Sequence, residues 1–162
     1  MVGMKSTANG GRQTPPATDP LDIAEFLCFA VYSASHAFSR VYHPLLKALR
    51  LTYPQFIALI VLWEQDGQTV GELGEKLFLQ SNTLTPMLKR LEVLGYIERS
   101  RDSTDERQVR INLTKSGRKL RLRASEIISN VRHATNLKGK KAEQLVEELG
   151  ALRTSLERYP RS

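Results

Sequence analysis

Cysteine is almost missing from this sequence, since Cys28 is the only one in 162 residues. A single thiol excludes a disulfide within the chain and a zinc site built from several cysteines, and it fits a reducing compartment. No apolar run approaches the roughly 18–20 residues that span a bilayer, and no charged start precedes an apolar segment. We therefore expect a cytoplasmic protein with no secretory signal and no membrane partner.

Acidic side chains are also in the minority, because 17 Asp and Glu stand against 24 Lys and Arg. The resulting net charge of +7 favours a polyanionic partner, and nucleic acid before a membrane surface. The length suits one domain rather than two. We predict neither a metal nor a cofactor.

Glycine and proline interrupt the N-terminal residues 1–18, which lack apolar periodicity and are therefore predicted to form a flexible tail. The domain then covers residues 19–162. Asp19 followed by Pro20 has the pattern of a helix start. Apolar residues recur at helical spacing until Pro44, which is expected to end or kink this first helix.

Shorter elements fill the middle of the chain. Two capping boxes, Thr52 with Gln55 and Thr69 with Glu72, each predict the start of a helix. A further helix is predicted to begin near residues 81–83, with its leucines on one face.

Two short β-like segments follow at residues 96–101 and 108–113. Closely joined helices followed by a β-hairpin describe a winged helix-turn-helix, here about residues 52–113. The outer helices, about residues 19–50 and 114–158, carry more apolar surface than so small a module covers, so we predict that they form a homodimer interface. The predicted fold class is mainly α with a small β-hairpin wing.

The helix that begins near residues 81–83 is the predicted DNA-reading element, because short polar and basic side chains lie opposite its leucines. Arg107, near the hairpin tip, would enter a minor groove. Asp102 and Asp105 would support the wing, Asp105 by holding an arginine in place. A capped surface helix and a solvated charged loop are the alternative interpretations. The candidate DNA-binding residues are Ser81, Asn82, Thr83, Thr85, Pro86, Lys89, Arg90 and Arg107.

The string SNTLTPMLKRLEVLGYIERSRDSTDERQVRINLTKSG resembles the recognition helix and wing of the MarR family, including the wing signature D-x-x-D-E-R. The similarity extends over roughly residues 21–150. It implies major-groove or phosphate contacts from Thr83, Thr85 and Lys89, and a minor-groove contact from Arg107. It also implies a DNA-binding regulator that is not an enzyme.

The whole chain further resembles the OhrR branch of the MarR family, which senses organic hydroperoxides. That branch has a reactive cysteine in the first helix and tyrosines that hydrogen-bond it. The matching residues here are Cys28, Tyr42 and Tyr53, with Tyr32 one helical turn after the cysteine. A thiolate would attack the peroxide and become a sulfenic acid. From the residues alone, a lone helical cysteine is more often a small core residue.

Tyr42 stands 14 residues after Cys28, which is about 21 Å along a straight helix at ~1.5 Å per residue. If Tyr42 touches this sulfur, it would therefore come from the partner subunit, in agreement with what the resemblance implies. Many relatives carry a second, resolving cysteine in the C-terminal helices, and this chain has none. We expect a small free thiol to cap the oxidised cysteine, or else over-oxidation.

These observations predict a transcriptional repressor that binds an inverted-repeat operator in double-stranded DNA and releases it when an organic hydroperoxide oxidises Cys28. One alternative is a MarR-type repressor released by a small phenolic ligand, with Cys28 only packing. A second alternative, from a different class of protein, is a thiol peroxidase enzyme. An enzyme of that kind would have no use for the predicted DNA-reading surface.

Overall fold

The computed structural model describes residues 22–160, and these divide into two compact units, one ending at Ala37 and the other beginning at Phe38. The predicted tail lies outside the described residues. None of the helices in this range is both long enough and apolar enough to cross a membrane. The elements in chain order are a short 3-10 helix (Ile23–Glu25), α1 (Leu27–Lys47), α2 (Tyr53–Glu64), β1 (Gln68–Thr69), α3 (Val70–Leu77), α4 (Ser81–Val93), β2 (Ile97–Arg101), β3 (Val109–Leu113), α5 (Lys115–Ala134) and α6 (Lys140–Glu157).

The first helix starts later than predicted. Its expected start at residues 19–20 lies outside the described part, and the Glu25 N–H donates to the Asp22 carbonyl at 3.0 Å in a 3-10 turn. Phe26 is not helical and α1 begins at Leu27, so the prediction of one continuous helix is wrong. The described side chains before α1 are exposed, so no packed face holds them in α geometry, and 3-10 turns are common at such helix ends.

Pro44 does not end α1, because the helix continues past it to Lys47. Leu46 is buried and anchors this last turn in the core. The Arg50 N–H then donates to the Lys47 carbonyl at 3.0 Å, and the Leu51 N–H to the Leu46 carbonyl at 3.2 Å, as in a Schellman motif. Arg50 occupies the left-handed position of this motif at φ 56°, which costs a side-chain-bearing residue about 1–2 kcal/mol.

Helix α2 lies at the centre of the core, in agreement with its apolar sequence. Both predicted capping boxes are present: the Thr52 N–H donates to the Gln55 side chain at 2.9 Å, and the Glu72 N–H to the Thr69 hydroxyl at 3.2 Å. Full burial of one such apolar side chain stabilises the fold by about 1.5–3 kcal/mol before entropy is counted. The largest fully buried side chains include Phe56, Leu59, Leu62, Leu73, Leu84, Leu88 and Leu91.

The sheet has a third strand that the sequence pattern did not predict. Strand β1 pairs antiparallel with β3 in the order β1-β3-β2, with Gln68 opposite Ile111 and Thr69 opposite Arg110. Two residues are too few to show alternation, so this strand has no periodic signal. Its pairing fastens the β2–β3 hairpin to the segment between α2 and α3.

The connection between α3 and α4 is the tight turn of a helix-turn-helix. Phe78 adopts the left-handed conformation at φ 55°, and α4 begins at Ser81, as predicted. A side chain added at Gly74 would lie 2.9 Å from the Leu79 carbonyl oxygen, so this close approach requires glycine.

The start of α5 is anchored to the junction between α4 and β2. The Thr114 hydroxyl accepts the Gly117 N–H at 3.0 Å and donates to the Gly95 carbonyl at 2.6 Å. The Trp63 indole N–H donates to the Gly117 carbonyl at 2.9 Å. Gly117 also lies so close to the Tyr96 carbonyl that no side chain fits there. These contacts hold α2, α4 and the hairpin in one arrangement.

Helix α6 buries none of its side chains completely. Exposed apolar faces of this kind mark interaction surfaces rather than ordinary solvent-facing helices. In the unit that ends at Ala37, large apolar side chains of α1 are exposed as well. The exposed apolar residues of α6 are Leu145, Val146, Leu149 and Leu156, and those of α1 within that unit include Leu27, Phe29 and Val31.

Candidate nucleic-acid interface and thiol site

Helix α4 turns its leucines into the core and leaves its opposite face in solvent. Thr85 is half-buried on the exposed side, and Pro86 lies inside the helix after its first turn. The sequence-predicted residues that are exposed on α4 are Ser81, Asn82, Thr83, Pro86, Lys89 and Arg90. The helix therefore offers short polar groups near its start and basic groups further along.

The N-terminus of α4 has no side-chain cap, because the Gln80 side chain makes no capping hydrogen bond. The Gln80 carbonyl accepts the Thr83 and Leu84 N–H groups, each at 3.0 Å. The Thr83 hydroxyl donates to the Asn82 side-chain oxygen at 3.3 Å. An uncapped helix start with exposed polar residues suits an anionic group such as a phosphate.

The wing is organised around Asp102, whose residue exposure is 5%. One carboxylate oxygen accepts the Thr104 N–H at 2.7 Å, the Thr104 hydroxyl and the Asp105 N–H at 3.1 Å. The other accepts Arg110 Nε at 2.7 Å and forms an ion pair with the same guanidinium. Four hydrogen-bond donors hold the pKa of Asp102 well below its usual range. In decreasing order of effect, they are the Thr104 hydroxyl, the Thr104 N–H, Arg110 and the Asp105 N–H. The carboxylate is therefore ionised at any pH near neutral.

Arg110 also joins the wing to the turn that follows α2, because it donates to the Gly67 carbonyl. Beside this contact, the Asp66 carboxylate accepts the Leu113 N–H at 2.8 Å and pairs with Arg118. The hairpin is consequently fixed at its base as well as along its edge.

Asp105 holds an arginine, Arg107, through its backbone N–H, and it contacts no arginine side chain among the described residues. Its two carboxylate oxygens accept the Arg107 backbone N–H and the Gln108 side-chain amide, each at 3.1 Å. A short carboxylate two residues before an N–H closes a turn on its own backbone, which leaves it no reach for a guanidinium. Arg107 itself is exposed in the hairpin turn and has no ion pair in the part of the chain that the structure describes.

Within the wing, the guanidinium that an aspartate holds belongs to Arg110, which the sequence-based prediction did not select. Arg110 lies in β3 and reaches Asp102, which directly follows β2. The only signal for this pair was an acidic residue and a basic residue at the two sides of a predicted hairpin. That signal does not distinguish Arg110 from Arg107, because the choice depends on strand register.

Cys28 is exposed near the start of α1. It lines an open, mostly apolar concavity together with Ile23, Phe26, Phe29 and Tyr32. The Tyr32 ring stacks on Phe29 with 6.4 Å between centroids. A small apolar molecule would meet the thiol at this surface without displacing a packed side chain.

Tyr42 and Tyr53 form a pair in the unit that begins at Phe38. Their ring centroids are 4.5 Å apart, and the Phe56 ring lies 6.0 Å from that of Tyr42. Burial raises the pKa of both phenols, and the neighbouring Tyr53 raises the pKa of Tyr42 further. Both hydroxyls are therefore protonated donors at neutral pH. Within residues 22–160, no group of three or more His, Cys, Asp or Glu side chains is arranged to hold a metal ion.

A family model described as "Transcriptional regulator SarA/Rot" matches residues 40–134. The chain is 46% identical over 138 residues to the HTH-type transcriptional regulator TtmR of Methylorubrum extorquens (strain PA1), a match that covers 85% of this chain and 71% of that protein. It is 41% identical over 138 residues to the Organic hydroperoxide resistance transcriptional regulator of Bacillus subtilis (strain 168), covering 85% of this chain and 94% of that protein.

Among solved structures, the fold is similar to AbfR of Staphylococcus epidermidis. Reduced AbfR bound to DNA matches with a TM-score of 0.71 and 39% identity, covering 83% of this chain and 93% of AbfR. AbfR has also been solved overoxidised and bound to DNA, and in a disulfide form. The winged arrangement described above is thus one that binds DNA in a similar protein.

Proposed function

Because this chain belongs to the MarR/OhrR type of DNA-binding transcriptional regulators, we propose that it is a repressor that releases its operator when an organic hydroperoxide oxidises Cys28. The observation that carries the proposal is the exposed Cys28 thiol in an apolar concavity of α1. An organic peroxide binds such a surface more readily than hydrogen peroxide does, because its apolar alkyl group is removed from water there.

The DNA-binding part of the proposal uses the exposed face of α4 and the wing. Thr83, Thr85 and Lys89 contact bases or phosphates in a major groove, and Arg107 contacts the adjacent minor groove. The ionised Asp102 keeps the wing in the shape that presents Arg107. Support comes from the exposure of Thr83, Lys89 and Arg107 and from the DNA-bound form of AbfR.

The repressor would act as a homodimer on an inverted repeat. A single chain has one α4, so two chains related by a two-fold axis would read two half-sites about 34–36 Å apart or a multiple of that distance. The exposed apolar side chains of α6 and of the first part of α1 supply surface for the dimer. In this proposal, residues 52–113 bind DNA and the outer helices form the dimer interface, as predicted from the sequence.

The proposed sensing reaction starts with the Cys28 thiolate. Its sulfur attacks the terminal peroxide oxygen, the O–O bond breaks as the S–O bond forms, and the alkoxide leaves and takes a proton to become an alcohol. Cys28 is then a sulfenic acid. In the dimer, the protonated Tyr42 and Tyr53 hydroxyls of the partner subunit would hydrogen-bond the sulfur before oxidation, as the family resemblance implies.

The sulfenic acid has no second cysteine in this chain to react with. A small thiol would condense with it, form a mixed disulfide and release water. The added bulk would favour a dimer whose two α4 helices no longer fit successive grooves, and DNA would be released by a shift of population.

Substitution of Cys28→Ser tests the sensor. The variant should bind a duplex from the region upstream of its own gene as tightly as the wild type does, because the change leaves α4 and the wing untouched. On treatment with an organic hydroperoxide and a small thiol, wild-type protein should leave this duplex in a gel-shift assay while the variant stays bound.

Release of the Cys28→Ser variant by the peroxide would refute the redox mechanism. It would favour the alternative in which a small phenolic molecule occupies the apolar concavity and Cys28 only packs. Release of both proteins by a phenolic compound without any peroxide would support that alternative directly.

A further inference from the structure

A basic cluster lies where the linker between α1 and α2 meets the C-terminal half of α4. Arg50, Lys89 and Arg90 line one concavity whose other lining residues are Val93 and Leu94. All three basic side chains are exposed, and none has an acidic partner within residues 22–160. Three positive charges thus converge on an apolar floor.

The linker that carries Arg50 is held firmly in place. Leu49 and Leu51 are buried on either side of Arg50, and the Leu49 carbonyl accepts the Tyr96 hydroxyl at 3.3 Å. The left-handed conformation of Arg50 is one that favours glycine, so the backbone gives no reason for an arginine here. Residues in strained backbone conformations are common at ligand-binding sites, and here the strained position carries a long cationic side chain into solvent.

The cluster continues the DNA-reading face of α4. Lys89, Arg90 and Val93 follow Asn82 and Pro86 at helical spacing on the exposed side of the helix, opposite the buried leucines. A duplex that lies against the start of this face extends towards its end, where Arg50 joins Lys89 and Arg90.

We propose that Arg50, Lys89 and Arg90 together bind one phosphate of the DNA backbone, and that Arg50 is a DNA-binding residue outside the helix-turn-helix and the wing. This inference rests on the proposed function. A phosphodiester fits because the site offers cations and no acidic group, and because a guanidinium bonds two phosphate oxygens at once. The contact positions the duplex and carries no sequence information.

Salt dependence of DNA binding separates this role from a structural one. Affinity is measured by fluorescence anisotropy between 50 and 200 mM salt, on the duplex from upstream of the gene and on a scrambled duplex of equal length. The variants are Arg50→Gln, which removes the charge, and Arg50→Lys, which keeps it. Arg132→Gln is the matched control, because Arg132 is an exposed arginine about 26 Å along α5 from its anchored start.

Lys89 and Arg90 still face the phosphate in Arg50→Gln, so the slope of log affinity against log salt should become shallower by at most about 0.9 per chain, or about 1.8 for a dimer with two changed sites. Wild-type protein should therefore lose up to roughly tenfold more affinity than Arg50→Gln between 50 and 200 mM salt. The change should be equal on both duplexes, and Arg50→Lys and Arg132→Gln should keep the wild-type slope.

Substitution of Arg50→Gly separates binding from folding. Glycine favours the left-handed conformation, so this variant should melt at or above the wild-type temperature and still show the shallower slope. A wild-type slope for both Arg50→Gln and Arg50→Gly, or an equal change in Arg132→Gln, would overturn the inference while the proposed function stands. Failure of the wild-type protein to bind either duplex would instead overturn both.

Discussion

Asp102 shows how one carboxylate sets the shape of the β2–β3 wing. Its two oxygens satisfy backbone and side-chain donors from Thr104, Asp105 and Arg110, and Arg110 continues to the Gly67 carbonyl. Removal of this charge would leave several donors without an acceptor, because a neutral amide has one oxygen in place of two.

Substitution of Asp102→Asn is therefore expected to loosen the wing while the helical core stays folded. Operator affinity should fall by about tenfold, the scale of one lost arginine contact in a groove. Fluorescence anisotropy measures the affinity, and circular dichroism checks that the helices are intact. Asp105→Asn is the control, since it leaves the Asp102–Arg110 pair in place and should have a smaller effect. Wild-type affinity in Asp102→Asn would show that the wing does not need this pair.

Because the pKa of Asp102 is lowered, the hydrogen bonds to its carboxylate persist to a lower pH than they would with an ordinary aspartate. A group whose pKa is lower in the folded state stabilises that state at every pH above the unfolded pKa, and this contribution is lost as the pH falls through the folded pKa. The Thr104 amide proton, followed by NMR, should therefore keep its hydrogen-bonded shift as ordinary aspartates become protonated. In Asp102→Asn the remaining amide oxygen is an uncharged and weaker acceptor, so this shift should be smaller at neutral pH already.

Glycine at the start of α5 determines how closely this helix approaches the hairpin. A methyl group at Gly117 would collide with the Tyr96 carbonyl, whereas a methyl group at Gly150 in α6 would have no atom within 4 Å. These two positions form a matched pair within helices.

Substitution of Gly117→Ala should destabilise the protein by about 1–3 kcal/mol, because backbone must move to accept the methyl group. Gly150→Ala should stabilise it by about 0.4–1 kcal/mol through the lower entropy of the unfolded chain. Urea unfolding followed by Trp63 fluorescence measures both, and Trp63 donates directly to the Gly117 carbonyl. Equal stability of the two variants would contradict the close approach seen here.

Elements with local signals could be predicted from the sequence, and elements that depend on distant contacts could not. The capping boxes at Thr52 and Thr69 use residues three apart, so the starts of α2 and α3 were predicted correctly. Strand β1 exists only because β3 pairs with it, and its two residues show no pattern of their own. The choice of Arg110 as the partner of Asp102 likewise depends on strand register, and the proposed role of Arg50 depends on where α4 lies.

At the scale of the whole molecule, the single cysteine makes the proposed switch depend on something other than a second thiol in the chain. A bond between two Cys28 residues requires their Cα atoms to lie within about 7 Å. In the proposed dimer each thiol is enclosed by tyrosines of the other subunit, so the two are expected to lie further apart.

Intact-mass spectrometry should therefore find one small-thiol adduct per chain at Cys28 after treatment with peroxide and thiol, together with loss of DNA binding. Excess reductant should restore both the mass and the binding. The opposite outcome is a disulfide-linked protein, and the similar protein AbfR has been solved in a disulfide form. A covalent dimer on a non-reducing gel, formed in step with DNA release, would rule out the one-cysteine mechanism.

The exposed leucines of α6 also connect the stability of the protein to its abundance. A subunit that covers these side chains only against a second copy gains their burial by mass action, so its thermal midpoint rises with total concentration. Dilution would then weaken the fold and the occupancy of the operator together. The number of protein molecules in a cell would therefore determine the fraction of operator that is bound, even in the absence of an oxidant.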